Sequence, residues 1–182
     1  MCIRDRYILD ELGTLRSFDA EGASIAEIET PIQKGRLVVD ETSGLVAIAG
    51  GGSGVTVIVD PATGEVETVP TTSNITSTGF ARAGSLFIFA SVDGDVRLWE
   101  IGTDEPPTLV WNGTGATSAG PPWYDESTDS VWIATSGSII NVPLDANQWI
   151  ERACQIVGRN LTQDEWDRFV PTNRPLQPAC AN

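Results

Sequence analysis

The chain has 182 residues, 41% of them hydrophobic and six of them tryptophan, enough for a packed core and against disorder over most of its length. Its formal net charge is −14, and so acidic a surface is expected to repel phosphate backbones, which argues against nucleic acid as a partner. Histidine is absent, so the commonest general base and zinc ligand is missing, and a Ser/His/Asp or Cys/His nucleophilic site has no means of assembly.

Met1–Arg6 reads Met-Cys-Ile-Arg-Asp-Arg, the in-frame translation of the transposon mosaic-end sequence used in DNA library preparation. It is set aside as adaptor-derived. Nine basic and 24 acidic residues then remain, a net charge of −15, and the biological chain is expected to continue upstream of Tyr7. Next come TLRSFD (Thr14–Asp19) and SIAEIE (Ser24–Glu29), two strands predicted to end a sheet whose beginning is missing. RLVVD (Arg36–Asp40), LVAIA (Leu45–Ala49), VTVIVD (Val55–Asp60) and EVETVP (Glu65–Pro70) follow, separated by the turns ETSG and PATG and a Gly-rich link. The same four-strand content recurs as TGFAR (Thr78–Arg82), SLFIFA (Ser85–Ala90), DVRLWE (Asp95–Glu100) and PTLVWN (Pro107–Asn112). PWYD (Pro122–Asp125), SVWIAT (Ser130–Thr135) and SIINVP (Ser138–Pro143) begin a fourth unit that has no outer strand. LVAIA, LFIFA and VWIAT are apolar at nearly every position, the pattern of strands buried on both faces.

Gly13, Gly54, Gly94 and Gly137 stand 41, 40 and 43 residues apart and each opens the third strand of a unit, which closes at Asp19, Asp60, Glu100 or Pro143. A period near forty with four short strands is that of a propeller blade, whose faces are buried only against neighbouring blades. The predicted fold is therefore all-β: an incomplete β-propeller with two full and two partial four-stranded blades and a short two-helix C-terminal cap. The partial first blade covers 7–30, the full blades 31–73 and 74–115, the partial last blade 116–147, and the cap and tail 148–182. Unpaired edges and an uncovered face are expected to make such an open arc prone to associate.

In the tail, Asp145 with Gln148 fits a capping box and Gly158 is placed to end the first helix. Trp149, Ile150, Ala153, Cys154, Ile156 and Val157 form one apolar stripe. Thr162 and Glu165 give a second capping box, Leu161 and Trp166 a hydrophobic staple, and Pro171 a stop. Both helices are expected to dock on the terminal edge. Cys154 and Cys180 either pair across the tail or stay reduced as small apolar residues.

The run DGDVRLWE (Asp93–Glu100) resembles the third strand of a WD-repeat blade, with Trp99-Glu100 in place of Trp-Asp. No Gly-His dipeptide occurs, so the polar network many WD repeats build on that His is absent. The tail segment ACQIVGRNLTQDEW (Ala153–Trp166) resembles the C-terminal end of bacterial, especially actinobacterial, WD-repeat proteins, in which a propeller ends a long signalling chain. The resemblance implies a non-enzymatic platform for a protein or peptide ligand on one face. It also implies upstream effector modules such as signal-transduction NTPases, winged-helix regulators, kinases or cyclases, and a cytoplasmic location. The alternatives are a quinoprotein-like enzymatic propeller, with its active-site residues in other blades, and a periplasmic or secreted one, for which Cys154–Cys180 pairing would be the sign.

No catalytic, cofactor-binding or metal-binding residue is assigned. Gly50–Gly54 precedes a strand and no lysine, so it reads as a hairpin link rather than a phosphate loop. Asp93 and Asp95 flank Gly94 without the further acids of a calcium loop and read as a polar turn. The second predicted helix exposes Asp164, Glu165 and Asp167 against Arg168, which suits a cap and not a DNA-reading helix. Trp111, Trp123 and Tyr124, near strand ends, are the candidate anchors for a partner.

Overall fold

The structure, a computed structural model, describes residues 6–50, 54–71, 74–112, 121–135, 137–169, 175, 176, 178 and 180. Its strands form four antiparallel sheets in chain order. The first holds β1 (Arg6–Leu9), β2 (Thr14–Phe18) and β3 (Ser24–Glu29). The second holds β4 (Gly35–Val39), β5 (Val46–Gly50), β6 (Thr56–Val59) and β7 (Val66–Thr68). The third holds β8 (Ile75–Ala81), β9 (Leu86–Ser91), β10 (Asp95–Glu100) and β11 (Thr108–Asn112), and the fourth β12 (Trp123–Asp125), β13 (Ser130–Ala134) and β14 (Ile139–Pro143). Within every sheet, neighbours in sequence are neighbours in space, as short hairpin turns require. The first sheet corrects the sequence expectation of two strands there. Tyr7, Ile8 and Leu9 pair with Ser17, Arg16 and Leu15, so the strand begins against the hexapeptide set aside above and includes its last residue.

Strand alternation decides how the sheets stack. On β5 and β6, Val46, Ile48, Val57 and Val59 pack toward the first sheet with Leu15, while Ala47 and Ile58 pack the other way with Phe87, Phe89 and Trp99 of the third. On the third sheet Ile88, Ala90 and Val96 turn toward Val131, Ile133 and Val142 of the fourth. Successive side chains thus feed two different cores, and β5 is buried at every position. Three apolar cores separate four sheets in a row. The middle one is the most aromatic, with the Phe87 ring centroid 5.5 Å from Phe80 and 5.9 Å from Phe89.

The acids that close strands serve as turn caps. Asp10 Oδ1 accepts the Leu12 and Thr14 N–H groups, and Asp19 Oδ1 those of Glu21 and Ala23. Asp40, Asp60 and Asp125 do the same for Ser43, Ala62 and Ser127. The backbone bonds hold the Asp10 and Asp60 carboxyls below their ordinary range, and the Ser127 and Thr128 hydroxyls do the same for Asp125. Part of the chain's acidity is therefore spent on folding. Gly84 fills a position no other residue suits. At φ +81° it turns the β8–β9 hairpin against the second sheet, and a Cβ there would collide with Ser43 Oγ.

Two helices follow, α1 (Ala146–Val157) and α2 (Gln163–Phe169). Asp145 caps α1 by accepting the Asn147 N–H at 2.9 Å, and Gly158 ends it at φ 71° with its N–H on Cys154 O. The second capping box is reciprocal: the Thr162 N–H reaches Glu165 Oε2 at 2.9 Å, and the Glu165 N–H reaches Thr162 Oγ1 at 3.3 Å. The Pro171 stop lies outside the described residues. Cys154 and Cys180 form a disulfide, and Asn160 braces it by bonding both the Cys180 carbonyl and N–H. The expected docking of the first helix is corrected. No residue of α1 is buried, Ile156 is 78% and Val157 56% exposed, and its hold on the sheets is the Trp149 Nε1–H bond to Pro143 O at 2.6 Å. The helix touches the edge strand β14 through Trp149 and leaves the Ile156 and Val157 end of its apolar stripe exposed.

Candidate functional site

A polar cluster of three side chains joins the third and fourth sheets. Arg82 grips Asp129 with two bonds, Nε to Oδ1 at 3.0 Å and Nη2 to Oδ2 at 2.6 Å, and Tyr124 Oη donates to the same Oδ1 at 3.0 Å. Arg82, Ala83 and Asp129 have left-handed backbones, at φ 49°, 52° and 44°, a conformation that costs non-glycine residues free energy. The bidentate pair between two hairpin turns offsets that cost. The Arg82 bond holds the Asp129 carboxyl below its ordinary range, while desolvation and the Asp129 charge push the Tyr124 phenol up. The trio is a clamp that fixes one sheet against the next.

The fourth sheet's outer face is a different surface. Pro121, Trp123, Trp132, Ala134 and Ile139 line an open apolar cavity of about 360 Å³. Trp123 is 65% and Ile139 71% exposed. The repeat makes Ile139 informative. It stands two residues after Gly137, as Leu15, Thr56 and Val96 stand two after Gly13, Gly54 and Gly94, and those three are 1%, 1% and 0% exposed. Ala134, paired with Ile139, likewise matches Ala49 opposite Thr56 and Ala90 opposite Val96. The outer face thus carries the residues of an interior interface without the facing sheet.

The structure separates the three aromatic residues singled out from the sequence. Trp111 and Tyr124 pack against the core between the third and fourth sheets, and only Trp123 projects into an open apolar surface. Asp95 is engaged by Arg97 at 3.0 Å and by Asn112 at 2.6 Å, and Asp93 lies exposed on the same turn. Gly51, Gly52 and Ser53 lie outside the described residues, and the Gly50 N–H bonds Val55 O at 2.9 Å across that link. Among the described residues no three His, Cys, Asp or Glu side chains are grouped to hold a metal, and no helix is long and apolar enough to cross a membrane. Trp99, in the WD-like position, is 2% exposed in the middle core with its Nε1–H unpaired. Sequence reasoning missed the Arg82–Asp129 clamp, because partners 47 residues apart on two turns leave no periodic signal. No protein-family model and no curated protein matches the sequence.

Proposed function

We propose that the chain is part of a WD-repeat-like β-propeller that serves as a non-enzymatic platform for a protein or peptide ligand within a larger bacterial signalling protein. One observation carries the architecture: Ile139 occupies a repeat position that is buried at each internal interface, yet faces outward here. A further sheet of the same repeat is the partner that chemistry fits. At two of the three interfaces a second strand touches the next unit's first, β1 with β4 and β5 with β8, and at the third the two first strands, β8 and β12, meet. Read by the repeat, the first sheet has second, third and fourth strands and the last sheet first, second and third, so each falls one strand short of a four-stranded blade. The platform role rests on the resemblance of Asp93–Glu100 and the tail to WD-repeat proteins, and on polar side chains occupied in turns and clamps.

The test has two arms. Size-exclusion chromatography with light scattering is expected to show association and binding of a hydrophobic dye, and a compact, dye-silent, cooperatively melting monomer overturns the open-arc reading. Assays against nucleotides, esters, glycosides and quinone-linked substrates are expected to show no turnover, and turnover abolished by one substitution in this chain overturns the platform reading.

The Cys154–Cys180 disulfide favours a second reading, a periplasmic or secreted propeller, because such bonds persist in oxidising compartments. Trapping thiols with an alkylating reagent in the native cells separates the two: protected cysteines support the exported protein, and alkylated ones the cytoplasmic protein.

A further inference from the structure

Between the inner edges of the second and third sheets lies a cavity of about 360 Å³ whose wall differs from the rest of this acidic chain. Lys34, the sequence's single lysine, and Arg36 stand together on it, with Thr76 and Ser77 opposite and Ile75 and Ala49 as an apolar wall. Among the described residues neither cation has an ion-pair partner, although the chain holds 25 acids against 11 bases. Arg16, Arg82, Arg97 and Arg159, by contrast, each meet a carboxylate. Arg36 spends one Nη1–H on Thr76 O, at 3.3 Å, which aims the guanidinium across the gap and leaves the remaining donors of its fork open.

The repeat does not require a cation here. Arg36 lies 18 residues before Gly54, and the residue 18 before Gly94 is Thr76, the neutral residue whose carbonyl Arg36 reaches. Nor does folding require it, since both cations are exposed and cover no core. Two unpaired cations of different geometry, an ammonium point charge and a planar fork, beside a short apolar wall, suit an anion with several oxygens on a small carbon skeleton. A planar carboxylate would be served by the fork alone, whereas a phosphate dianion uses both charges.

From these observations we infer that the Lys34–Arg36 cavity is a binding site for a small phosphate monoester, a role independent of the platform reading. Isothermal titration calorimetry of the full chain with glycerol 3-phosphate, inorganic phosphate and succinate tests it. Glycerol 3-phosphate is expected to bind most tightly, inorganic phosphate more weakly and succinate least. Lys34→Gln and Arg36→Gln are each expected to weaken glycerol 3-phosphate by about tenfold with the melting temperature unchanged. Arg36→Lys keeps the charge but loses the fork, and is expected to restore only part of the affinity. Absence of binding at millimolar ligand, succinate binding as tightly as glycerol 3-phosphate, or affinity unchanged in both glutamine variants overturns the site.

Discussion

The first and last sheets each leave one face without a neighbouring sheet, and they treat it in opposite ways. On the first, Arg16 crosses the outward face to Glu27 at 3.1 Å and Asp10 at 3.0 Å, so charge covers part of the sheet, with Ile8 and Ile25 left exposed as separate apolar side chains. On the last, Trp123, Trp132, Ala134 and Ile139 make a continuous apolar face, with the Asn141–Ser130 hydrogen bond beside it. A sheet end can therefore be polar and self-sufficient, or it can keep the chemistry of an interior interface. The three interior cores show what that second chemistry is for: with a facing sheet present, the residues at the Ile139 position, Leu15, Thr56 and Val96, are buried to about 1% exposure. The contrast places the unmet demand for burial at one end of the row.

The largest test of the contrast lies inside. Phe87→Ala removes a fully buried ring from the middle core, between sheets that both have partners, and is expected to cost about 3–5 kcal/mol. Equilibrium denaturation measures it, and a loss under about 1 kcal/mol would mean that this interface is no better packed than the open ends. Next in size is Gly84→Ala, which forces a side chain into a left-handed position and against Ser43, with an expected cost of about 1–2 kcal/mol. Gly44→Ala is the control, because it has the same backbone demand at φ +79° and nothing within 4 Å. If the two variants melt alike, the close approach of the second and third sheets carries no energy of its own.

Smaller still are the ends themselves. Trp123→Ser with Ile139→Thr is expected to lower dye binding and self-association while moving stability by about 0.5 kcal/mol or less, since neither side chain is packed. Arg16→Ala breaks two exposed ion pairs worth about 0–1 kcal/mol together and is expected to leave dye binding unchanged. Equal dye responses from the two variants would erase the distinction between the faces.

Much of this was legible in the sequence because the repeat writes it there. Gly13, Gly54 and Gly94 recur because each has a positive φ, 90°, 69° and 84°, ahead of a third strand. Unbroken apolar runs such as LVAIA announced strands with a sheet on either side, and β5 is buried throughout. What was not legible depended on partners. Amphipathicity gave the apolar stripe of α1 but not whether any surface meets it, and Ile156 meets none that buries it. β1 escaped notice because four residues beside a discarded hexapeptide have no room to show a period. Lys34 and Arg36 were not singled out, since a cavity between two sheets 40 residues apart in sequence has no local signature.

The smallest effect belongs to the tail, where the polar remedy seen on the first sheet recurs. Arg159 bonds both carboxylate oxygens of Glu165 at 2.7 Å, and the Thr162 N–H adds a third bond, so the charged form is favoured and the Glu165 carboxyl falls from its ordinary 4.5 to about 2. A carboxyl depressed on folding supports the α2 capping box fully above pH 4.5, and that support drains away as the pH falls through about 2. The group is solvent-exposed, so the contribution is modest and screened by salt. Side-chain carboxyl carbon NMR is expected to place the Glu165 midpoint below those of the other glutamates at low ionic strength. Arg159→Gln should move it back toward 4.5, because the largest cause of the shift is the Arg159 bond. Should the Glu165 midpoint lie near 4.5 in the unchanged protein, the α2 capping box is not held by this pair.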